Sequence, residues 1–250
     1  MNSKTYGEKY YEFQTKARGL VQEPELRESF AKRAEWYCSR LRDFLPEEHS
    51  SHWLDLPCGF GNFLYFLRQQ GYQNISGYDL DPEQVRLAQM LELPAVEGDA
   101  FDILNNPTES YDCIASIDFL EHLDRDSAIN FLELCYERLR PGGVLFLRVP
   151  CADGPFGAHD RFNDLTHEWS MTSNVLRAML EMISFEGVEI LDERPQPYNI
   201  RNRVRLILFY IARFLANGFV RALGLIPPRV WSTAMWGVAR KPSRGLDLEK

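Results

Sequence analysis

Apolar and polar positions follow two rhythms along this chain, and the change from one to the other marks out its elements. Apolar residues first recur at helical spacing through Phe30, Ala34, Tyr37, Leu41 and Leu45, until Pro46 stops the helix. Beyond that point short apolar runs take turns with helical stretches. The runs are His52–Leu56, Ile75–Tyr78, Ala95–Glu97, Tyr111–Ile117, Val144–Val149, Val188–Leu191 and Met235–Ala239. Tyr111–Ile117 is close to a continuous apolar run, which suits a strand covered on both faces. Helices are predicted over Asn62–Gln70, closed by Gly71, and from Pro82, whose missing N–H costs little in a first turn. Two more follow: Asp126–Arg140, ended by Pro141-Gly142-Gly143, and a helix from a Thr172 or Ser173 cap to Phe185. Pro150–Glu168 reads as a polar loop.

This alternation predicts an α/β fold: a doubly wound, mostly parallel, seven-stranded Rossmann-like sheet with helices on both faces. An N-terminal helical segment, 1–50, precedes the main domain, 51–250. About forty residues separate the last two strands, far beyond a hairpin loop, so a helical insertion is expected at about 198–232. A chain of 250 residues suffices for one such domain and is short for two. Its composition, 45% apolar and 26% charged, is that of an ordinary globular protein. The opening MNSKTYGEKYYEF has no apolar core of the secretory kind. Five scattered cysteines without CxxC spacing suggest neither a disulfide framework nor a zinc site, and no metal is expected. These features predict a cytoplasmic protein.

In a doubly wound sheet the ligand lies at the carboxyl ends of the strands, where strand order reverses. After the first strand Gly59 and Gly61 let the backbone come close to a ligand. After the second, Asp79 is placed to accept hydrogen bonds from both hydroxyls of a ribose. After the third, Asp99 can reach an adenine amino group, with Ala100 leaving room for the ring. Taken singly, each has a plainer reading as a turn or a helix cap.

Together they resemble a known family. Trp53-Leu54-Asp55-Leu56-Pro57-Cys58-Gly59-Phe60-Gly61, then Gly77-Tyr78-Asp79-Leu80-Asp81 and Glu97-Gly98-Asp99-Ala100, look like successive motifs of the class I S-adenosylmethionine-dependent methyltransferases. Tyr111-Asp112-Cys113-Ile114, Glu121-His122-Leu123 and Arg140-Pro141-Gly142-Gly143-Val144-Leu145 continue the match in order. The resemblance covers roughly residues 50–195 and Trp236–Pro242. It implies S-adenosylmethionine as cofactor, with Asp55, Gly59 and Gly61 around its methionine part. Asp79, with Leu80 in the same cofactor-binding set, holds the ribose; Asp99 and Ala100 hold the adenine, and Asp118 or Phe119 lies alongside. It also implies that the segment before the first strand folds over the cofactor as a lid, a role for which Tyr6-Gly7-Glu8-Lys9-Tyr10-Tyr11 is suited. Pro57 departs from the pattern, standing where the family most often has its first glycine, so the loop must be built without that N–H. The architectural rival is a nicotinamide-dependent oxidoreductase. Its fingerprint needs a third glycine where this chain has Leu64.

Methyl transfer to a weakly acidic hydroxyl calls for a general base. His167, in Asn163-Asp164-Leu165-Thr166-His167-Glu168-Trp169, is one candidate, with Asp164 to fix its tautomer. The Asp-x-Thr-His sequence resembles one in family members thought to modify sugars and other small polar acceptors. The alternative is a turn and cap before the next helix. His122 is a second candidate, equally suited to bracing that region, and His159-Asp160 a weaker substitute.

Net charge is −8, yet Arg194–Leu246 holds ten basic residues and no Asp or Glu. Within it Val204–Leu225 is apolar but interrupted by Arg205, Arg213 and Arg221, which with Asn217 fall at multiples of four. A helix in the plane of an anionic membrane surface fits this pattern; a pocket lid or dimer contact are the alternatives. The acidic remainder and the lack of a binding motif speak against nucleic acid. The expected function is O-methylation of a sugar or polysaccharide precursor. Methylation of a quinone, lipid or other small metabolite, or cofactor binding without turnover, are the alternatives.

Overall fold

The structure, a computed structural model, describes residues 9, 10, 13, 23–197 and 199–243. Tyr10 apart, the aromatic cluster at residues 6–11 expected to cover the cofactor lies outside the described residues. The apolar runs become β1 (Trp53–Asp55), β2 (Ile75–Asp79), β3 (Ala95–Glu97), β4 (Tyr111–Ile117), β5 (Leu139–Pro150), β6 (Glu186–Asp192) and β7 (Ala234–Arg240). They form one sheet in the order β3-β2-β1-β4-β5-β7-β6. Pairing is parallel from β3 to β5, whereas β7 runs antiparallel to both β5 and β6.

Side-chain alternation splits the core into two layers. On β5, Leu145, Leu147 and Val149 face one layer while Val144 and Phe146 face the other. The first layer is closed by α4 (Ala100–Asn105), α5 (Arg125–Arg138) and α7 (Ser173–Met182). The second is closed by α1 (Glu23–Leu41), α2 (Asn62–Gln69) and α3 (Pro82–Met90). The helical periodicity of α1 buries Leu26, Phe30, Ala34, Tyr37 and Leu41. Its Tyr37 ring meets Phe63 of α2 at 5.2 Å and Trp236 of β7 at 5.8 Å, which fixes the segment to the sheet.

Three boundaries differ from the sequence pattern. Helix α5 stops at Arg138, two residues early, because Leu139 already pairs with Tyr111 and the residue before Pro141 is pushed out of helical geometry. Helix α7 ends at Met182 rather than Phe185: Ser184 takes a left-handed φ of 79° and the Phe185 N–H returns to the Leu180 carbonyl at 3.0 Å. The polar loop after β5 contains a short helix, α6 (Gly157–Phe162).

The insertion is α8 (Ile200–Ala222), capped by Asn199, whose side chain accepts from the Asn202 N–H at 2.9 Å. None of its residues is fully buried. Leu206, Phe209, Arg213, Asn217 and Val220 are half-buried and mark the side towards the body. The expected arginine stripe is not formed. Eight residues advance a helix by about 80° beyond two full turns, so Arg205, Arg213 and Arg221 drift round it. Arg213 turns inward, donating to Asp192 at 3.1 Å and to the Arg229 carbonyl at 2.9 Å, while Arg205 and Arg221 stay exposed.

Candidate active site

Strand order reverses between β1 and β4, and the acidic residues gather at the carboxyl edge beside that point. The register places Asp55 against Gly77 on one side and Ala115 on the other, with Asp79 two residues further along β2. The loop after β1 is built without an N–H from Pro57. Cys58 N–H donates to the Tyr78 carbonyl at 2.8 Å, and Gly59 N–H to Asp79 Oδ2 at 2.8 Å. Gly61 serves packing more than ligand approach: a Cβ there would stand 2.7 Å from Leu93 and 2.9 Å from Ala88, at a φ of +88°. Space for Leu64 comes from β2, where a Cβ on Gly77 would come within 2.6 Å of the Leu64 side chain. The space that a dinucleotide fingerprint leaves for a pyrophosphate beside the helix is thus filled by a side chain.

Asp55 is 1% exposed, and neither carboxylate oxygen has a hydrogen-bond partner. Burial pushes its carboxyl well above the ordinary range, and the neighbouring Asp79 charge adds to this. The Leu64 N–H, too poorly placed for a hydrogen bond, works weakly the other way. A buried, orphaned acid at this point fits the ammonium group of the cofactor's methionine part. Asp79 is also buried, which raises its pKa, although the N–H groups of Asp81 (to Oδ1, 2.9 Å) and Gly59 favour its charged form. Each of its oxygens accepts one backbone bond and keeps a lone pair for a ribose hydroxyl. Leu80, 65% exposed, leaves an apolar side chain open beside it.

Asp99 caps α4, with Oδ1 accepting from Phe101 and Asp102 N–H at 2.8 and 3.2 Å; its Oδ2 carries no hydrogen bond within the described residues. The buried Ala100 follows directly. Asp118 ends β4 at a left-handed φ of 55°, and its carboxylate is paired to Arg148, which Glu193 also holds at 2.6 and 3.0 Å. Phe119 packs edge-on against Phe131 at 5.0 Å.

The strain at Asp55 has a measurable consequence. Its carboxyl holds its proton to higher pH in the fold than in the unfolded chain, where it ionises above about pH 4. The stability it contributes is therefore complete below that pH and is lost as pH rises towards the folded value. We expect Asp55→Asn to melt higher than the wild type at pH 8 without cofactor, the gap closing towards pH 4. The same variant should gain less from added S-adenosylmethionine in a thermal shift.

A polar cluster faces the same edge from β4 and the loop after β5. Glu168 N–H donates to the Glu121 carbonyl at 2.8 Å and Trp169 Nε1 to the Leu120 carbonyl at 3.1 Å, tying loop to strand end. This brings the His122 and His167 rings to 4.9 Å. Asp164 does not orient His167 as expected. It accepts from Thr166 N–H at 2.8 Å and from Thr166 Oγ1 at 2.6 Å, and Thr166 Oγ1 lies 2.9 Å from His122 Nδ1. The short Asp-x-Thr turn draws the carboxylate to Thr166, and the Asp160 carbonyl lies 2.9 Å from His167 Nδ1. Burial and the adjacent His167 lower the pKa of His122. Glu121 was visible in the sequence only as the neighbour of His122. It is 1% exposed and its carboxyl is raised well above the usual range by burial and by Asp118.

Sheet order, antiparallel β7 and the acids at the carboxyl edge are the arrangement expected of a sulfonium-nucleoside site. The family described as methyltransferase domain matches residues 30–201. The chain belongs to that family, and its sheet shares the fold of methyltransferases that take S-adenosylmethionine. A tRNA U34 carboxymethyltransferase of Pseudoalteromonas translucida is 28% identical over 172 residues, covering 64% of this chain and 52% of that protein. A ubiquinone biosynthesis O-methyltransferase of Xanthomonas oryzae pv. oryzae is 33% identical over 109 residues, or 40% of this chain and 44% of that one. The chain spans about half the length of these curated relatives. A SAM-dependent methyltransferase from Archaeoglobus fulgidus shares the fold at a TM-score of 0.63 with 22% identity, covering 83% and 94% of the two chains. The tRNA relatives leave the expected exclusion of nucleic acid without support.

Proposed function

We propose that this methyltransferase transfers its methyl group to a hydroxyl of a lipid-linked sugar presented at an anionic bilayer surface. The observation that carries this reading is the outward side of α8. Ile200, Val204, Ile207, Leu208, Ile211, Phe214 and Leu215 recur there at helical spacing and are all exposed, Phe214 by 76%. Arg201, Arg203, Arg205 and Arg221 are exposed on the same helix, and the segment around it has no acidic residue. A contiguous run of exposed apolar side chains marks an interaction surface, and the charge beside it suits anionic headgroups. Among the described residues no helix is long and apolar enough to cross a membrane.

A sugar headgroup fits the polar loop after β5, which carries Asp153, His159, Asp160, Asn163, Asp164 and His167. The bound cofactor supplies a methyl group already electrophilic through its sulfonium. The protein's tasks are to align the acceptor oxygen with that carbon, exclude water and take up a proton. Transfer would form the C–O bond as the C–S bond breaks, leaving the electron pair on sulfur. The acceptor's proton passes to the Glu121–His122–His167 cluster. The ubiquinone relative supports oxygen as the acceptor atom, and the tRNA relatives make tRNA the competing substrate.

Co-sedimentation tests the surface. The protein should pellet with anionic vesicles, pellet less with neutral ones, and lose affinity as salt rises. Ile211→Glu/Phe214→Glu should stay in the supernatant with an unchanged melting temperature, since both side chains are exposed. Wild-type protein left wholly in the supernatant at low salt ends this reading. Labelled-methyl transfer to lipid-linked sugars, quinone precursors and tRNA then assigns the acceptor.

A further inference from the structure

We propose that Arg33, on the side of α1 that meets the carboxyl edge of the sheet, holds an oxyanion of the phosphate type carried by the acceptor. Arg33, Trp36 and Arg40 follow one another at steps of three and four residues, which sets them on one side of the helix. The Arg33 guanidinium stands 4.0 Å from the centre of the Trp36 ring and 5.2 Å from that of Tyr37, and Arg40 lies 4.2 Å from Trp36. The same indole is 5.5 Å from Arg148. Arg148 sits near the carboxyl end of β5 and pairs with Asp118, which ends β4. The row on α1 therefore overlooks the ends of β4 and β5, beside the residue expected to lie alongside the cofactor.

The three cations around this ring are neutralised unequally. Arg148 is held by Asp118 and, at 2.6 and 3.0 Å, by Glu193. Arg40 donates to the Trp36 and Arg194 carbonyls at 3.1 and 3.2 Å and to Ser39 Oγ at 2.9 Å. Arg33 is half-buried, and among the described residues no carboxylate pairs with it. Burial raises the pKa of Tyr37 and the Arg33 charge pulls it back, while Asp118 and Arg148 act on the same hydroxyl. The field of Arg33 is thus felt where β4 and β5 end. At the methionine end of the site, the charge that acts on Asp55 is that of Asp79. A guanidinium stacked on an aromatic ring is oriented before it binds, and its planar fork of N–H donors matches two oxygens of a phosphate. The second cation across the indole adds to the attraction for an anion. A phosphate joining sugar to lipid is the group of this kind in the proposed acceptor. That assignment rests on the proposed function, whereas the anion site stands on the geometry of α1.

Inorganic pyrophosphate serves as the probe, titrated calorimetrically into full-length protein saturated with S-adenosylmethionine. It should bind saturably with a Kd of about a millimolar or tighter at low salt, weakening as salt rises. Arg33→Gln should weaken this binding at least about tenfold, and Arg33→Lys, which keeps the charge but loses the fork, should recover only part of it. Both variants should fold, since no ion pair within the described residues depends on the guanidinium. Arg205→Gln, exposed on α8, should bind pyrophosphate as the wild type does. Absence of saturable binding in the wild type, unchanged affinity in folded Arg33→Gln, or an equal fall in Arg205→Gln overturns the site. Loss of S-adenosylmethionine affinity in Arg33→Gln, measured without pyrophosphate, overturns it as well and hands the guanidinium to the cofactor's carboxylate. Vesicle binding reads α8 separately: Arg33→Gln should pellet with anionic vesicles as the wild type does, so failure of the bilayer reading and failure of the anion site show in different measurements.

Discussion

Replacing His167 by alanine is expected to lower methyl transfer about 100- to 10,000-fold while S-adenosylmethionine affinity stays close to that of the wild type. His167 meets Glu121 and His122 but none of the carboxylates assigned to the cofactor, so turnover and cofactor binding separate at this residue. The loop that carries it does not depend on the imidazole. Arg161 grips the His167 and Glu168 carbonyls, the latter at 2.6 Å, and Glu168 and Trp169 are tied to the main chain at Glu121 and Leu120. The variant should therefore fold, with a melting temperature within a few degrees of the wild type. Single-turnover transfer with saturating labelled cofactor, alongside calorimetric cofactor affinity, checks the split. Normal turnover in a folded variant would reduce His167 to a turn residue; loss of cofactor affinity in parallel would move it out of the acceptor end.

The sheet was legible because its strands are short apolar runs between strong punctuators, Pro46, Gly71 and Pro82 among them. Period and spacing alone order such elements. The helix ends at Arg138 and Met182 were not legible. Each is set by a non-local event, pairing of Leu139 with Tyr111 and the left-handed Ser184, that a local pattern does not contain. The same division holds at the site. Asp55, Asp79 and Asp99 stand at strand ends, where topology alone carries them to one edge. The partnership of Asp164 was misread because an Asp three residues before a His offers two partners, and the nearer Thr166 takes it. Glu121 was passed over since nothing in a sequence tells a buried acid from a surface one. Arg213 was placed on an exposed stripe because Asp192, its partner, is 21 residues away.

Asp79→Ala is expected to weaken S-adenosylmethionine binding by about 1.5–3 kcal/mol, roughly 10- to 150-fold in Kd, through loss of a charged acceptor for ribose hydroxyls. The geometry makes this variant informative only beside a second one. Both oxygens of Asp79 already hold the loop, Oδ2 through Gly59 N–H and Oδ1 through Asp81 N–H, so alanine also orphans two backbone donors. Asp79→Asn keeps one oxygen acceptor for one of those donors and removes the charge. If the residue acts through the ribose, Asn should still lose most of the affinity, because the charge is gone, its NH₂ cannot accept from a hydroxyl, and only one oxygen keeps a lone pair beside its loop bond. If the residue acts only by shaping the loop, Asn should recover most of what Ala loses. Removing this buried charge also lifts one source of the raised Asp55 pKa, so Asp79→Asn should leave Asp55 easier to ionise. Apo stability should then fall less steeply with pH than in the wild type, since the folded Asp55 value moves back towards the unfolded one. Calorimetry on both variants with S-adenosylmethionine, with melting curves from pH 5 to 8, reads the two effects separately. Wild-type affinity in a folded Asp79→Ala would remove the residue from the cofactor site.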